Sequence, residues 1–242
     1  MHIAAVQIEA IPGDLPANIA KHLNCISQIQ PSKADVIVFP ELSLTGYEPR
    51  HAATLAMSAD DQRLRAFANA SKLAGASIGV GLPLLTADKP AIGQLFFHPD
   101  GTCTSYAKQY LHDDETAVFS AGSEHPLFTK GEQNISPAVC FETINGEHAQ
   151  AAAALGANIY LASAAKHVDN MRTAHAHCAI NAKQYGMFVI IANAIGSNDG
   201  YISAGMSAAW NGSGMRIAML ADQTEGFVLA DINEQSARAI TF

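Results

Sequence analysis

The stretch ADVIVFPE, residues 34–41, is a continuous apolar run that stops at a proline and a glutamate. Val36, Ile37, Val38 and Phe39 leave no polar face, which suits a strand covered on both sides rather than a half-exposed one. Similar short runs recur as HIAAVQIEA (2–10), SIGVGLPLL (77–85), ISPAVCF (135–141), NIYLASAA (158–165) and FVIIANAIG (188–196). Helical patterns lie between them. From Asp14 to Gln30 the apolar residues Ile19, Leu23, Ile26 and Ile29 fall on one helical face. Ser58 and Asp61 resemble a capping box, predicting a helix that runs to about Ala74. Two further helices are expected over 147–155 and 170–186. In IGQLFFHPDGTCTSYAKQY (92–110) the Pro99-Asp100-Gly101 segment separates two strand-like runs and signals a hairpin. The runs MSAAWNGSG, RIAMLA and FVLADIN predict a closing meander of strands. The pattern is α/β, with helices over a largely buried sheet system, and no linker or repeat divides residues 1–242.

The chain has 242 residues, 49% of them hydrophobic and 15% charged, the profile of a protein with a large core. A net charge of −8 argues against a general nucleic-acid binder, which needs a basic face to offset phosphates. The N-terminus lacks the basic region and apolar core of a signal peptide, and no window reaches the ~20 apolar residues of a membrane span. The four cysteines, Cys25, Cys103, Cys140 and Cys178, are scattered without a CxxC pair. They point to free thiols in a reducing cytoplasm rather than to a disulfide framework or a zinc site.

Three polar side chains stand where a plain core pattern would not put them. Glu41 ends the run 34–41, and a carboxylate beside so apolar a strand costs several kcal/mol unless it is paired, changes its protonation state or has emerged into solvent. Lys108 leaves a strand-like run with Glu115 seven residues on, in an acidic loop; a solvated edge-strand lysine would look the same. Cys140 ends a third run, just before Phe141-Glu142 and a helix start, and core packing explains a lone cysteine equally well. Brought together, the three form a working set. A thiol titrating near ~8.5 needs a base or a positive field. A carboxylate can take and return its proton, and a lysine can stabilise an oxyanion.

VIVFPELSLTGYEP (36–49), SYAKQYLHDDETAVFSAG (105–122) and PAVCFETIN (137–145), in that order, resemble the three signature regions of the nitrilase superfamily of carbon–nitrogen hydrolases. The likeness extends from IAAVQIEAIPGDLPANIAKHL (3–23) to SAGMSAAWNGSG (203–214). The resemblance implies a single domain with a four-layer α-β-β-α sandwich and a Glu41–Lys108–Cys140 triad, with Glu115 as a second glutamate. It also implies an oxyanion donor in the Phe141 N–H, no metal or organic cofactor, and a homodimer or larger homo-oligomer. The implied reaction is hydrolysis of a small non-peptide amide to acid and ammonia through a thioester. N-carbamoyl compounds and nitriles are alternatives, and an idle binding protein is a rival of another class. Where many relatives carry Arg-Ala-x-Glu-Asn, this chain reads NAKQY (181–185), so substrate identity does not transfer.

Other features have plainer readings. The alternate histidines of HAHC (175–178) point to different helical faces and suit packing better than a metal. Gly79-Val80-Gly81 sits in a strand pattern without phosphate-loop context. Trp210 and Phe141 suit a cleft wall or aromatic packing. Lys166, His167 and Arg172 follow the run 158–165, where one of them is expected to meet a polar or acidic end of the substrate; loop surface charge is the alternative.

Overall fold

The structure is a computed structural model describing residues 1–198 and 200–242. The chain opens with β1 (His2–Gln7), α1 (Leu15–Ile29), β2 (Val36–Val38), a one-turn α2 (Ala52–Leu55) and α3 (Arg65–Ala74). Strands β3 (Ser77–Leu84), β4 (Ala91–Phe97), β5 (Cys103–Ala107), β6 (Phe128–Lys130) and β7 (Gln133–Val139) follow. Then come α4 (Gly146–Ala154), β8 (Ile159–Ala164), α5 (Val168–Tyr185) and β9 (Phe188–Asn193). The chain closes with β10 (Ile195–Asn198), β11 (Tyr201–Ala204), β12 (Ala208–Trp210), β13 (Arg216–Met219), β14 (Gly226–Asp231) and β15 (Ser236–Thr241).

One sheet has the order β15-β14-β1-β2-β3-β4-β5 and the other β13-β12-β9-β8-β7-β6, with β10-β11 as a separate hairpin. The β1-β2-β3 and β7-β8-β9 pairings are parallel, and α3, α4 and α5 serve in the connections. Alternation along each strand assigns its faces. Ile3, Ala5, Val36 and Val38 of the first sheet pack against Ile159, Leu161, Ile190 and Ala192 of the second. Their neighbours Ala4, Val6, Ile37 and Phe39 face outward onto Cys25, Ile26 and Ile29 of α1 and Phe67 of α3. Ala162, Val189 and Ile191 face outward onto Ala149 and Ala152 of α4 and onto Met171, Cys178 and Ala182 of α5. Three apolar layers therefore separate four layers of structure, an α-β-β-α sandwich. Among the described residues, no helix is long and apolar enough to cross a membrane.

Several local expectations change. Asp61 does cap, accepting from the Arg63 N–H at 2.9 Å, but it caps a 3-10 turn over Gln62–Leu64, and α3 starts only at Arg65. Ser58 bonds Asp60 instead of the helix. The closing meander is split between the sheets. β12 and β13 pair in the second sheet, whereas β14 returns to β1 along His2↔Asp231 through Gln7↔Gly226. Trp210 is buried, 2% exposed, and packs edge-on to His175. His175 lies against Met206, its Nε2 2.9 Å from that carbonyl, so HAHC serves packing.

Burial of His22 on α1 has a measurable consequence. Its ring lies 4.2 Å from Phe39, Nδ1 is 2.7 Å from the Asn18 carbonyl, and Nε2 is 2.9 Å from Ser43 Oγ. Burial drives its pKa down to about 3, so the folded protein refuses a proton that the unfolded chain takes up below ~6.5. Stability contributed by this group is complete above pH ~6.5 and falls on acidification by about 1.4 kcal/mol per pH unit. His22→Gln is expected to flatten the pH dependence of the urea midpoint between pH 6.5 and 4.5. An unchanged slope would show that His22 is not the group responsible.

Candidate active site

Glu41 follows β2, Lys108 follows β5 and Cys140 follows β7, so two strands of one sheet and one of the other deliver them to the same end of the sandwich. The turn carrying Glu41 fits because β3 has glycine opposite it. A Cβ on Gly81 would collide with the Pro40 carbonyl and the Leu42 amide. Leu42 has φ +50° and Cys140 φ +48°, a region that L-residues adopt at a cost of about 1–3 kcal/mol. Both carboxylate and thiol are thus presented by tight, strained turns.

Lys108 is fully buried, and its Nζ donates to Glu41 Oε1 at 3.0 Å and to Glu115 Oε1 at 2.7 Å. Glu41 Oε2 accepts from the Ala165 N–H at 3.2 Å. Glu115 accepts from the Tyr47 hydroxyl at 2.9 Å and from the His112 N–H at 2.8 Å. Burial raises the Glu41 pKa, while Lys108 and contact with the Cys140 thiol pull it back. Burial alone would lower Lys108, but Glu41, Cys140 and Glu115 overcome it and hold the ammonium charged. The Cys140 thiol is pushed up to about 11 by burial and the Glu41 charge, with Lys166 and Lys108 opposing. The site therefore sets a buried thiol beside a buried carboxylate, with the positive charges of Lys166 and Lys108 opposing the rise in the thiol's pKa.

A cavity of about 270 Å³ opens over these groups. Cys140, Lys108 and Glu115 line it, with Phe141, Lys166 and His167. The cavity thus gathers the candidates read from the sequence, while Glu41 lies behind Lys108. Arg172 stays outside, exposed and paired with Asp169 at 3.6 Å. No α-helix starts directly after Cys140. A 3-10 turn spans Cys140–Ile144, and α4 begins at Gly146 with Asn145 as its cap. The helix expected directly after Cys140 is thus displaced by this turn, whose first N–H groups, Phe141 among them, have no acceptor within the turn. In place of an ion pair at NAKQY, the Asn181 amide reaches the Thr143 carbonyl at 3.5 Å.

Sequence reasoning missed Tyr47 and Tyr201, whose rings meet edge-on at 6.0 Å on the cavity wall. It also missed Glu142, which reads as an ordinary acidic residue at a helix start. Glu142 is fully buried: Oε1 accepts from the Tyr106 hydroxyl at 2.7 Å and the Gln109 and Tyr110 N–H groups at 2.6 and 3.2 Å. Its Oε2 accepts from the Val139 N–H at 2.6 Å. One carboxyl group thus ties the segment after Lys108 to the residue before Cys140. In Glu142→Gln an amide NH2 must face a backbone donor, which costs about 1–3 kcal/mol. A loosened elbow is expected to lower kcat by about tenfold or more. Thermal unfolding and turnover measured together check this; wild-type turnover would remove the positioning role.

The sequence profile of the carbon–nitrogen hydrolase family matches residues 2–242. The chain belongs to the carbon–nitrogen hydrolase family. This hydrolase is 23% identical over 225 residues to a glutamine-dependent NAD(+) synthetase of Thermotoga maritima, spanning 88% of its own length and 39% of the relative's. It is 26% identical over 228 residues to a Pseudomonas protegens protein described as a hydrolase in the pqqF 5' region, covering 91% of the chain and 80% of that relative. In three dimensions it is similar to a cysteine-to-alanine variant of the amidase from Nesterenkonia sp. AN1 in complex with butyramide. The TM-score is 0.88 at 24% identity, covering 97% of this chain and 92% of that one. The structural likeness establishes the nitrilase-type sandwich for this hydrolase.

Proposed function

We propose that this hydrolase cleaves a small non-peptide amide to a carboxylic acid and ammonia through a thioester on Cys140, acting as one domain spanning residues 1–242. The observation that carries the reading is a fully buried lysine bridging two carboxylates at 3.0 and 2.7 Å on the wall of a cavity that Cys140 also lines. Glu41 takes the thiol proton, which leaves the total charge of the site unchanged. The thiolate attacks the amide carbon, and Lys108 and the Phe141 N–H stabilise the oxyanion. Glu41, or Glu115 beside Lys108, returns a proton to the departing nitrogen, and ammonia leaves as the C–N bond breaks. Water deprotonated by the same carboxylate cleaves the thioester. The butyramide-bound amidase relative supports a short amide as substrate. Free cysteines fit a reducing cytoplasm, and the family resemblance favours a homo-oligomer.

The test is a panel of short primary amides, N-carbamoyl amino acids and nitriles assayed for ammonia, with acid quenching during turnover. Amides are expected to release ammonia, and the quenched protein to carry the acyl mass on the Cys140 peptide. Turnover with acyl mass only on Cys25, Cys103 or Cys178 would overturn the assignment. No ammonia from any member of the panel would favour an idle binding protein.

A further inference from the structure

The triad does not require Lys166, yet the fold holds it firmly. It follows Ala165, whose N–H donates to Glu41, and its own N–H donates to Asn193 Oδ1 at 2.8 Å. Its carbonyl accepts from Asn193 Nδ2 at 3.0 Å and from the Ala204 N–H at 2.8 Å. The residue is 5% exposed and lines the cavity beside Cys140. Its Nζ is not sealed in the protein but opens to that cavity. Among the described residues, no carboxylate, carbonyl or hydroxyl lies within hydrogen-bonding distance of it, and neither salt bridge at the site includes it.

The other charges at the cavity are accounted for. Lys108 is engaged by Glu41 and Glu115, and at the rim His112 Nδ1 lies 2.7 Å from the exposed Asp114 carboxylate. The Tyr201 hydroxyl is committed to the Ala165 carbonyl at 2.8 Å, and His167 Nδ1 accepts from the Asp169 N–H at 3.0 Å. A buried ammonium without a partner is costly, and an anion brought into contact with it offsets that cost by a charge-assisted hydrogen bond. At about 270 Å³ the cavity lies below the roughly 300–1,000 Å³ typical of drug-sized ligands, so any such anion belongs to a small molecule.

We infer that Lys166 is the counter-ion for a carboxylate at the end of the substrate remote from the scissile bond, making the substrate class the monoamides of short dicarboxylic acids. This deepens the amide-hydrolase reading and rests on it. Because ammonia is the leaving group in that reading, the carboxylate must belong to the acyl part that stays on Cys140. The monoamide and water give the dicarboxylate and ammonium, with no other reactant. Lys166 acts on binding, and the chemistry at Cys140 stays with Glu41 and Lys108.

The test compares isosteric pairs that differ in charge at the far end: succinamate with succinamide, and glutaramate with glutaramide. Wild-type kcat/KM is expected to favour the monoamide of at least one pair by about thirtyfold or more, chiefly through KM. In Lys166→Met the two members of the pair should converge, and Lys166→Arg should recover part of the preference. Lys166→Gln replaces Lys166→Met should the latter fail to fold. Equal rates for charged and neutral members in wild type would overturn the inference while leaving the amidase reading intact. So would a uniform fall in kcat for both members in Lys166→Met, which would mark Lys166 as a support of the thiolate alone. Calorimetric titration with succinate and glutarate needs no turnover. Binding by wild type that weakens by about thirtyfold in Lys166→Met supports the anion site even if no amide is hydrolysed, in which case only the amidase reading fails. Binding that is absent, or unaffected by the substitution, overturns it.

Discussion

Cys140→Ala is expected to lose amide turnover by a factor on the order of 10⁴ or more while unfolding at nearly the wild-type temperature. The two halves of this expectation have separate physical causes. The thiol is the proposed attacking atom, and among the described residues that line the cavity no other carries the sulfur a thioester needs. The fold, by contrast, asks little of the sulfur. Cys140 is half-buried at the edge of two core clusters, and its backbone conformation, φ +48°, costs an alanine about as much as a cysteine. Ammonia release and a melting curve on the same preparation check the result. Substantial turnover in Cys140→Ala would end the mechanism. Lost turnover accompanied by a large fall in melting temperature would mean that the thiol matters for packing instead.

Lys108→Met is expected to have the largest effect on stability, about 3–5 kcal/mol at neutral pH, and to lower turnover by about 10²-fold or more. Glu41 is 2% exposed and Glu115 3% exposed, and Lys108 Nζ is their common partner. Removing the ammonium leaves two buried carboxylates facing one another, and at least one must take up a proton to relieve the repulsion. The loss should therefore shrink as pH falls, since protonation then costs less. The double variant Lys108→Met/Glu115→Gln separates the two roles. It removes one of the orphaned charges and is expected to regain part of the stability without regaining turnover. Urea midpoints at neutral and acidic pH, with turnover beside them, measure both. A Lys108→Met protein as stable as wild type at neutral pH would contradict the buried charge cluster.

Most of the sheet framework was legible because strands buried on both faces cannot tolerate polar residues. ADVIVFPE, NIYLASAA and FVIIANAIG announced β2, β8 and β9 in this way, and Ile19, Leu23, Ile26 and Ile29 announced α1 by their spacing. Polarity at the ends of such runs marked Glu41, Lys108 and Cys140 as unusual, and the family resemblance supplied the reason to group them. Boundaries that depend on local competition were less legible. The Ser58–Asp61 pattern reads as a capping box, but Ser58 bonds Asp60 and Asp61 itself caps a 3-10 turn, so α3 starts only at Arg65.

Three matters lay beyond the sequence because they depend on what meets what across the fold. The closing strands read as one meander, yet β14 leaves β13 and pairs with β1, a choice between edges that local pattern does not encode. Glu142 looked like a helix-start acid, and only the packing of three segments around it shows a carboxyl group with four donors. Lys166 stood with His167 and Arg172 as a candidate for a polar or acidic substrate end, with loop charge as the alternative, and its burial without a partner is visible only when the walls of the cavity are assembled. By itself, the sequence determined which segments must be buried and which three groups stand at the ends of strands, because burial of apolar runs is a local, periodic property. The tertiary structure alone decided which charges are paired and which one faces the cavity unpaired, because pairing depends on distances between residues far apart along the chain.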